Sequence, residues 1–148
     1  MSSKKAILTV GIPGSGKSHW AAKQDGYRVI NLDDCRYLVS GDSSNQACTK
    51  EAAKIHERLI DLAVRDGVNI IVSDTNLNKG FRDVLEARLW NDGYTVEIKV
   101  FDTPYDVCVA RNNTRTNPVP EHAMLRLQEQ FIDNQPCENP SADDGSQP

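Results

Sequence analysis

The chain has 148 residues, 39% of them hydrophobic and 26% charged, with a formal net charge of −4. That length carries one domain with a buried core but not two of ordinary size. No apolar run reaches membrane-spanning length, no signal peptide precedes the first strand pattern, and the acidic balance argues against a broad nucleic-acid-coating surface while leaving room for a channel lined by a few arginines.

In chain order, Ala6 to Val10 predicts a strand. It runs into Gly11-Ile12-Pro13-Gly14-Ser15-Gly16-Lys17-Ser18, which fits G-x-x-x-x-G-K-[ST] at every fixed position, and His19 to Lys23 can open a helix behind it. The glycines let the backbone curl so that successive N–H groups face phosphate oxygens. Lys17 brings a point charge to the outer phosphates, and the Ser18 hydroxyl can ligate Mg²⁺. With strand before and helix after, a Gly-rich turn that matches by accident is the weaker explanation.

Tyr27 to Leu32 predicts a second strand, Asp33 to Leu38 a short helix or turn, and Gly41 to Asn45 a polar loop. From Thr49 to Arg65, Ala52, Ala53, Ile55, Leu59, Ile60, Leu62 and Ala63 recur at helical spacing, and Gly67 stands where a helix C-cap belongs. Val68 to Val72 reads as a buried strand leading to Ser73-Asp74-Thr75-Asn76. A helix follows from Phe81 to Trp90, then a fourth strand from Tyr94 to Phe101. Pro104 opens a helix expected to carry Val107, Val109, Arg111 and Arg115. Pro118 and Pro120 break the chain before a last helix over Glu121–Asn134. Residues 1–134 thus read as one domain and 135–148 as a disordered tail too polar to pack. The cysteines are scattered with no Cys-x-x-Cys pair, as in a cytoplasmic protein with reduced thiols.

Strands separated by helices imply an α/β fold, a parallel sheet of the P-loop NTPase type with about four strands in order 2-3-1-4 and helices on both faces. The carboxyl ends of the strands then share one edge, where ligands bind. Asp74, ending an apolar strand, reads as an acid near the metal or as the cap of a turn. Asp33 and Asp34 read equally as a helix N-cap pair or as a base accepting a hydroxyl proton. Arg111 and Arg115, four apart, form a solvated basic face or a clamp on transition-state charge. His19 covers a helix start, His56 and His122 are expected on helix surfaces, and Trp20 and Trp90 in the core.

The segments G-I-P-G-S-G-K-S-H-W, D-D-C-R, I-I-V-S-D-T-N-L-N and V-F-D-T-P…A-R-N-N-T-R…P-V-P together resemble the kinase domain of bacteriophage polynucleotide 5′-kinases, in the P-loop kinase superfamily, from Ala6 to about Phe131. The resemblance implies transfer of the ATP γ-phosphate to a 5′-hydroxyl of DNA or RNA, in the cytoplasm of an infected host if the chain is phage-encoded. Gly14, Ser15, Gly16, Lys17, Ser18 and His19 would hold ATP, with Arg111 as a further nucleotide contact and Mg²⁺ at Ser18 and Asp74. Asp33 matches the general base, Arg115 the arginine that stabilises the transferring phosphate, and Asp74 an essential acid. On the acceptor, Arg36 matches the residue for the 3′-phosphate of the terminal nucleotide, Thr75 a neighbour of that phosphate, and Val119 an apolar contact of the terminal base.

The chain departs from the family at His19, where threonine is common, and at Leu32 and Cys35, which replace polar or aromatic residues. The segment from Arg115 to Pro120 is one residue shorter, and no D-x-D-G-T phosphatase segment follows, so a kinase without 3′-phosphatase activity is expected. Two other readings stand beside this one. A small-molecule P-loop kinase suits the acidic charge, but an arginine for an internucleotide phosphate has no purpose on an uncharged acceptor. A guanine-dependent switch needs N-K-x-D, and Asn78-Lys79-Gly80-Phe81 lacks the Asp.

Overall fold

Asn69–Val72 is apolar at almost every position because it is an inner strand, covered on both faces. The computed structural model describes residues 4–134, so the expected tail lies outside the described residues. The strands are β1 (Lys4–Val10), β2 (Tyr27–Ile30), β3 (Asn69–Val72) and β4 (Tyr94–Val100). They form one parallel sheet in the order β2-β3-β1-β4, the order and orientation expected. The helices are α1 (Lys17–Ala22), α2 (Leu32–Ser40), α3 (Thr49–Asp66), α4 (Lys79–Asn91), α5 (Tyr105–Asn112) and α6 (Glu121–Asp133), with a 3₁₀ turn at Gln46–Cys48 between the stretch read as loop and α3.

Strand side chains alternate between the faces. Ala6, Leu8, Val10, Ile70, Val72, Val96 and Ile98 build the larger core with Ile60 and Ala63 of α3, Leu89 of α4 and Met124 and Phe131 of α6. Ile7 and Ile71 point the other way, under Ala21 and Trp20 of α1. Helices therefore cover both faces, unevenly. At about 1.5–3 kcal/mol for each large aliphatic side chain fully buried, the first layer supplies most of the stabilisation. None of the helices among the described residues is long and apolar enough to cross a membrane.

Three local expectations are corrected. The second strand stops at Ile30, because the Asn31 side chain accepts from the Asp34 N–H at 2.8 Å and caps α2. Leu32 is thereby the first residue of that helix. Trp90 is 53% exposed: Leu89 faces the core, and its neighbour is turned about 100° away around the helix. Arg115 lies beyond α5, which ends at Asn112. At the end of α3 the chain keeps to its pattern, and Gly67 caps it with φ 69°.

Candidate active site

The phosphate loop joins β1 to α1 at the carboxyl edge of the sheet. Gly14 has φ +85°, and a Cβ there would stand 2.5 Å from the Cys108 carbonyl oxygen, so both backbone conformation and close approach to α5 demand glycine. The Thr103 hydroxyl donates to the Ser15 carbonyl at 2.9 Å, and Arg111 donates to the Gly14 carbonyl at 3.1 Å. Lys17 is only 8% exposed; its Nζ donates to the Ile12 carbonyl at 2.8 Å and to Ser15 Oγ at 3.3 Å. Burial lowers its pKa to about 8. Ser18 and His19 are exposed in the first turn of α1, whose leading N–H groups have no helical carbonyl ahead of them.

The second wall comes from α2 and the turn after β3. The two adjacent acids have different partners. Asp34 exchanges hydrogen bonds with Asn31 at the cap. Asp33, instead, lies between two guanidiniums: Arg36 Nη1 at 2.5 Å from Oδ1 and Arg115 Nη2 at 4.0 Å from Oδ2. Arg36 is mostly buried, and its Nε is one of two buried side-chain polar atoms without a partner among the described residues. The other is Ser73 Oγ, and both residues line the same cleft.

Asp74 ties three elements together. Its Oδ1 accepts from the Leu32 N–H at 2.7 Å, fixing the start of α2 beside Asp33, and its Oδ2 lies 2.7 Å from His56 Nε2 on α3. His56 is therefore not a surface residue; its side chain is 16% exposed. The turn carrying Thr75 is held by Asn76, at φ 47°, which donates to the Thr9 carbonyl at 2.7 Å. Arg82 holds it from outside, donating to the Asn76 carbonyl at 2.8 Å and the Asn134 carbonyl at 3.1 Å.

Arg115 reaches the site from the turns after α5, where its N–H donates to the Asn112 carbonyl at 3.1 Å. The buried Asn112 side chain clamps Val119, accepting from its N–H at 3.0 Å and donating to its carbonyl at 2.8 Å. Val119 thus borders the cleft at a fixed point. His56, Arg82 and Asn112 escaped the sequence reading, since each acts through a contact distant in the chain or through a turn that no short motif encodes.

Of the thirteen site residues named from the sequence, all but Ser15 line one cleft of about 1310 Å³; Ser15 is buried within the loop beneath it. Lys17, Arg36, Arg111, Arg115 and Arg126 face it, against the carboxylates of Asp33 and Asp74. A chain of net charge −4 has concentrated positive charge in one concavity. The oxygen donors of Ser18 and Asp74 suit Mg²⁺, and each Asp74 oxygen has one hydrogen-bonding partner, leaving lone-pair capacity. No group of three or more His, Cys, Asp or Glu among the described residues could hold a metal ion. The donor set therefore fits an ion completed by phosphate oxygens and water, the usual mode for Mg²⁺.

Residues 7–133 match the family described as AAA domain. The chain belongs to the AAA domain family. A protein of Autographa californica nuclear polyhedrosis virus, bearing the name bifunctional polynucleotide kinase/RNA ligase, is 32% identical over 134 residues, covering 80% of this chain and 19% of the viral protein. Among solved structures, a chain of the Pnkp1/Rnl/Hen1 RNA repair complex superposes with a TM-score of 0.75 at 24% identity, over 91% of this chain and 46% of that one. A gluconokinase from Sinorhizobium meliloti 1021 superposes with a TM-score of 0.51 at 22% identity, over 88% and 76%. These superpositions show the P-loop kinase fold. The chain spans about a fifth of that relative and under half of the repair-complex chain.

Proposed function

We propose that the chain is a polynucleotide 5′-hydroxyl kinase, moving the γ-phosphate of ATP onto the 5′-OH end of DNA or RNA. The observation that carries this reading is Asp33, held by Arg36 on one side and facing Arg115 on the other, in the cleft that Lys17 shares. That juxtaposition offers a proton acceptor, a cation for the acceptor's phosphate and a cation for the transferring phosphate. The viral relative's name supports the nucleic-acid acceptor.

In this mechanism the loop N–H groups, Lys17 and Arg111 bind and orient the triphosphate, and His19 flanks it. Mg²⁺, held at Ser18 and Asp74, would supply charge neutralisation on the phosphate oxygens. Arg36 binds the 3′-phosphate of the terminal nucleotide, with its unpartnered Nε as a ready donor. Thr75 adjoins that phosphate and Val119 supports the terminal base. Asp33 accepts a hydrogen bond from the 5′-hydroxyl. A carboxylate is too weak a base to remove an alcohol proton in advance, so Asp33 orients the oxygen and takes the proton as the new O–P bond forms. Arg115 meets the negative charge spreading over the γ-oxygens. Asp74, through the Leu32 N–H, keeps the start of α2 and hence Asp33 in place.

Labelled ATP offered with 5′-OH oligonucleotides, 3′-phosphorylated oligonucleotides and a panel of sugars and nucleosides tests this reading. Label is expected at 5′ ends, with 3′-phosphates left intact because these 148 residues contain no D-x-D-G-T segment. Label on a sugar and none on any oligonucleotide would overturn it.

A further inference from the structure

We propose that α6 carries a second acceptor subsite, in which Arg126 takes the internucleotide phosphate that follows the one held by Arg36. The proposal rests on the polynucleotide-kinase reading and deepens it: the favoured acceptor is a strand of at least two nucleotides rather than a single 3′-phosphorylated nucleoside.

Of the lysine and arginine side chains that face the cleft, Lys17 and Arg111 are tied to the phosphate loop, while Arg36 and Arg115 meet Asp33. Arg126 faces the same cleft and has no hydrogen bond or ion pair among the described residues. Away from the cleft, Arg28, Arg65 and Arg88 pair with carboxylates. A cation kept in a concavity without an acid beside it points to an anion from outside.

Position says which anion. Arg126 lies on α6, which opens directly after the apolar contact proposed for the terminal base, Val119. Ala123 and Leu127 line the cleft on the same helix. They are one turn apart, about 6 Å along the axis, enough to continue the apolar strip under a second base. Further along, Gln130 adjoins a hollow lined by Leu32, Asp74 and Thr75, so this stretch of α6 runs on the acceptor side of the site. A terminal base on Val119, a second along Ala123 and Leu127, and a second phosphate at Arg126 form one continuous track. Apolar and cationic groups in alternation are what a single strand needs.

The test uses pyrimidine acceptors of one, two and three nucleotides, all with a 5′-OH and a 3′-phosphate, in ribose and deoxyribose series. Direct binding is measured by calorimetry alongside phosphate transfer from ATP. For the wild-type chain, Kd and acceptor KM should drop about tenfold from one nucleotide to two, the scale of one charge-assisted phosphate contact, and change little from two to three. Arg126→Ala should bring the mononucleotide-to-dinucleotide ratio close to one, and Arg126→Lys should restore part of it. The salt slope of dinucleotide binding should become shallower by about 0.7 in Arg126→Ala. Equal use of one and two nucleotides by the wild type, or a ratio unchanged in Arg126→Ala, overturns the subsite. Tenfold tighter dinucleotide binding with no transfer at any length upholds the subsite and overturns the kinase reading instead.

Discussion

The two walls of the cleft are built from different materials. The donor wall is mostly backbone: a loop whose conformation is dictated by Gly14 and Gly16, drawn against α5 and pinned by Thr103. The acceptor wall is mostly side chain, with Asp33, Arg36, His56, Asp74 and Arg115 holding one another across four separate segments. Backbone sites must spell out their residues contiguously, because each peptide unit depends on its neighbours' dihedrals. Side-chain networks can recruit members from anywhere, and each member is replaceable by other pairings. The donor half should therefore respond to substitution through affinity for nucleotide, and the acceptor half through rate.

The largest effects should come from the acceptor wall. Arg115→Ala is expected to slow single-turnover phosphate transfer by about 10³–10⁵, as for an arginine that meets transition-state charge. Asp33→Asn keeps shape but removes the proton acceptor, and should cost about 10²–10⁴ in rate. ATP affinity, measured by equilibrium titration, should stay close to wild type in both. Asp34→Asn keeps a capping side chain at the edge of the α2 cap and should transfer phosphate at near the normal rate. If it is Asp34→Asn that fails, the division between cap and base is reversed.

Lys17 should show the opposite pattern and a pH dependence. Burial brings its pKa from 10.5 down to about 8. Nucleotide phosphates favour the protonated amine, so ATP affinity should weaken as pH rises through about 8, by up to tenfold per unit where the free protein is deprotonated and the complex is not. The folded state disfavours the charge, so the penalty is fully present below pH 8 and fades by pH 10.5; the difference corresponds to about 3 kcal/mol. Lys17→Met should thus raise the Tm by roughly 6–12 °C near neutral pH while abolishing tight ATP binding. The Ile12 carbonyl keeps the Ser15 N–H as partner when the lysine is lost.

How legible each wall is in the sequence follows from the same contrast. The phosphate loop, the inner strands and the long helix ending at Gly67 could be read locally, because each obeys a fixed spacing or dihedral demand. Arg115 could be named but not placed: its spacing from Arg111 suggested a shared helix face, whereas α5 ends at Asn112 and two turns deliver the guanidinium to Asp33. Asn112 looked like one more polar residue, yet it is buried and clamps Val119 seven positions on. His56 sits in an amphipathic helix where a polar residue reads as solvent-facing, and only the return of the chain through Asp74 gives it a partner.

His56→Ala should lower kcat by about tenfold with little change in KM for ATP, since one hydrogen bond to a charged carboxylate contributes about 1.5–3 kcal/mol and acts here only through Asp74. His56→Asn, if it still reaches Oδ2, should recover part of the loss. The smallest signal is ionic: with two or three phosphate contacts on a single strand, log K for the acceptor should fall against log salt with a slope of about −1.4 to −2.1. A slope steeper than −5 would reveal an extended basic groove, and the sense of a few cations in one concavity would be lost.

The clamp made by Arg82 has a practical consequence for anyone cutting this domain out for expression. The family match stops at residue 133, a natural place to end a clone. The guanidinium, however, spans from the Asn76 carbonyl to the Asn134 carbonyl, joining the last described residue to the turn that carries Thr75. A product ending at 133 would fold around the same sheet but leave a buried cation half-anchored behind the turn that carries Thr75. Boundaries chosen by similarity alone would then yield soluble material with a weakened site, and extending the clone past 134 is the simpler remedy than searching for better buffer.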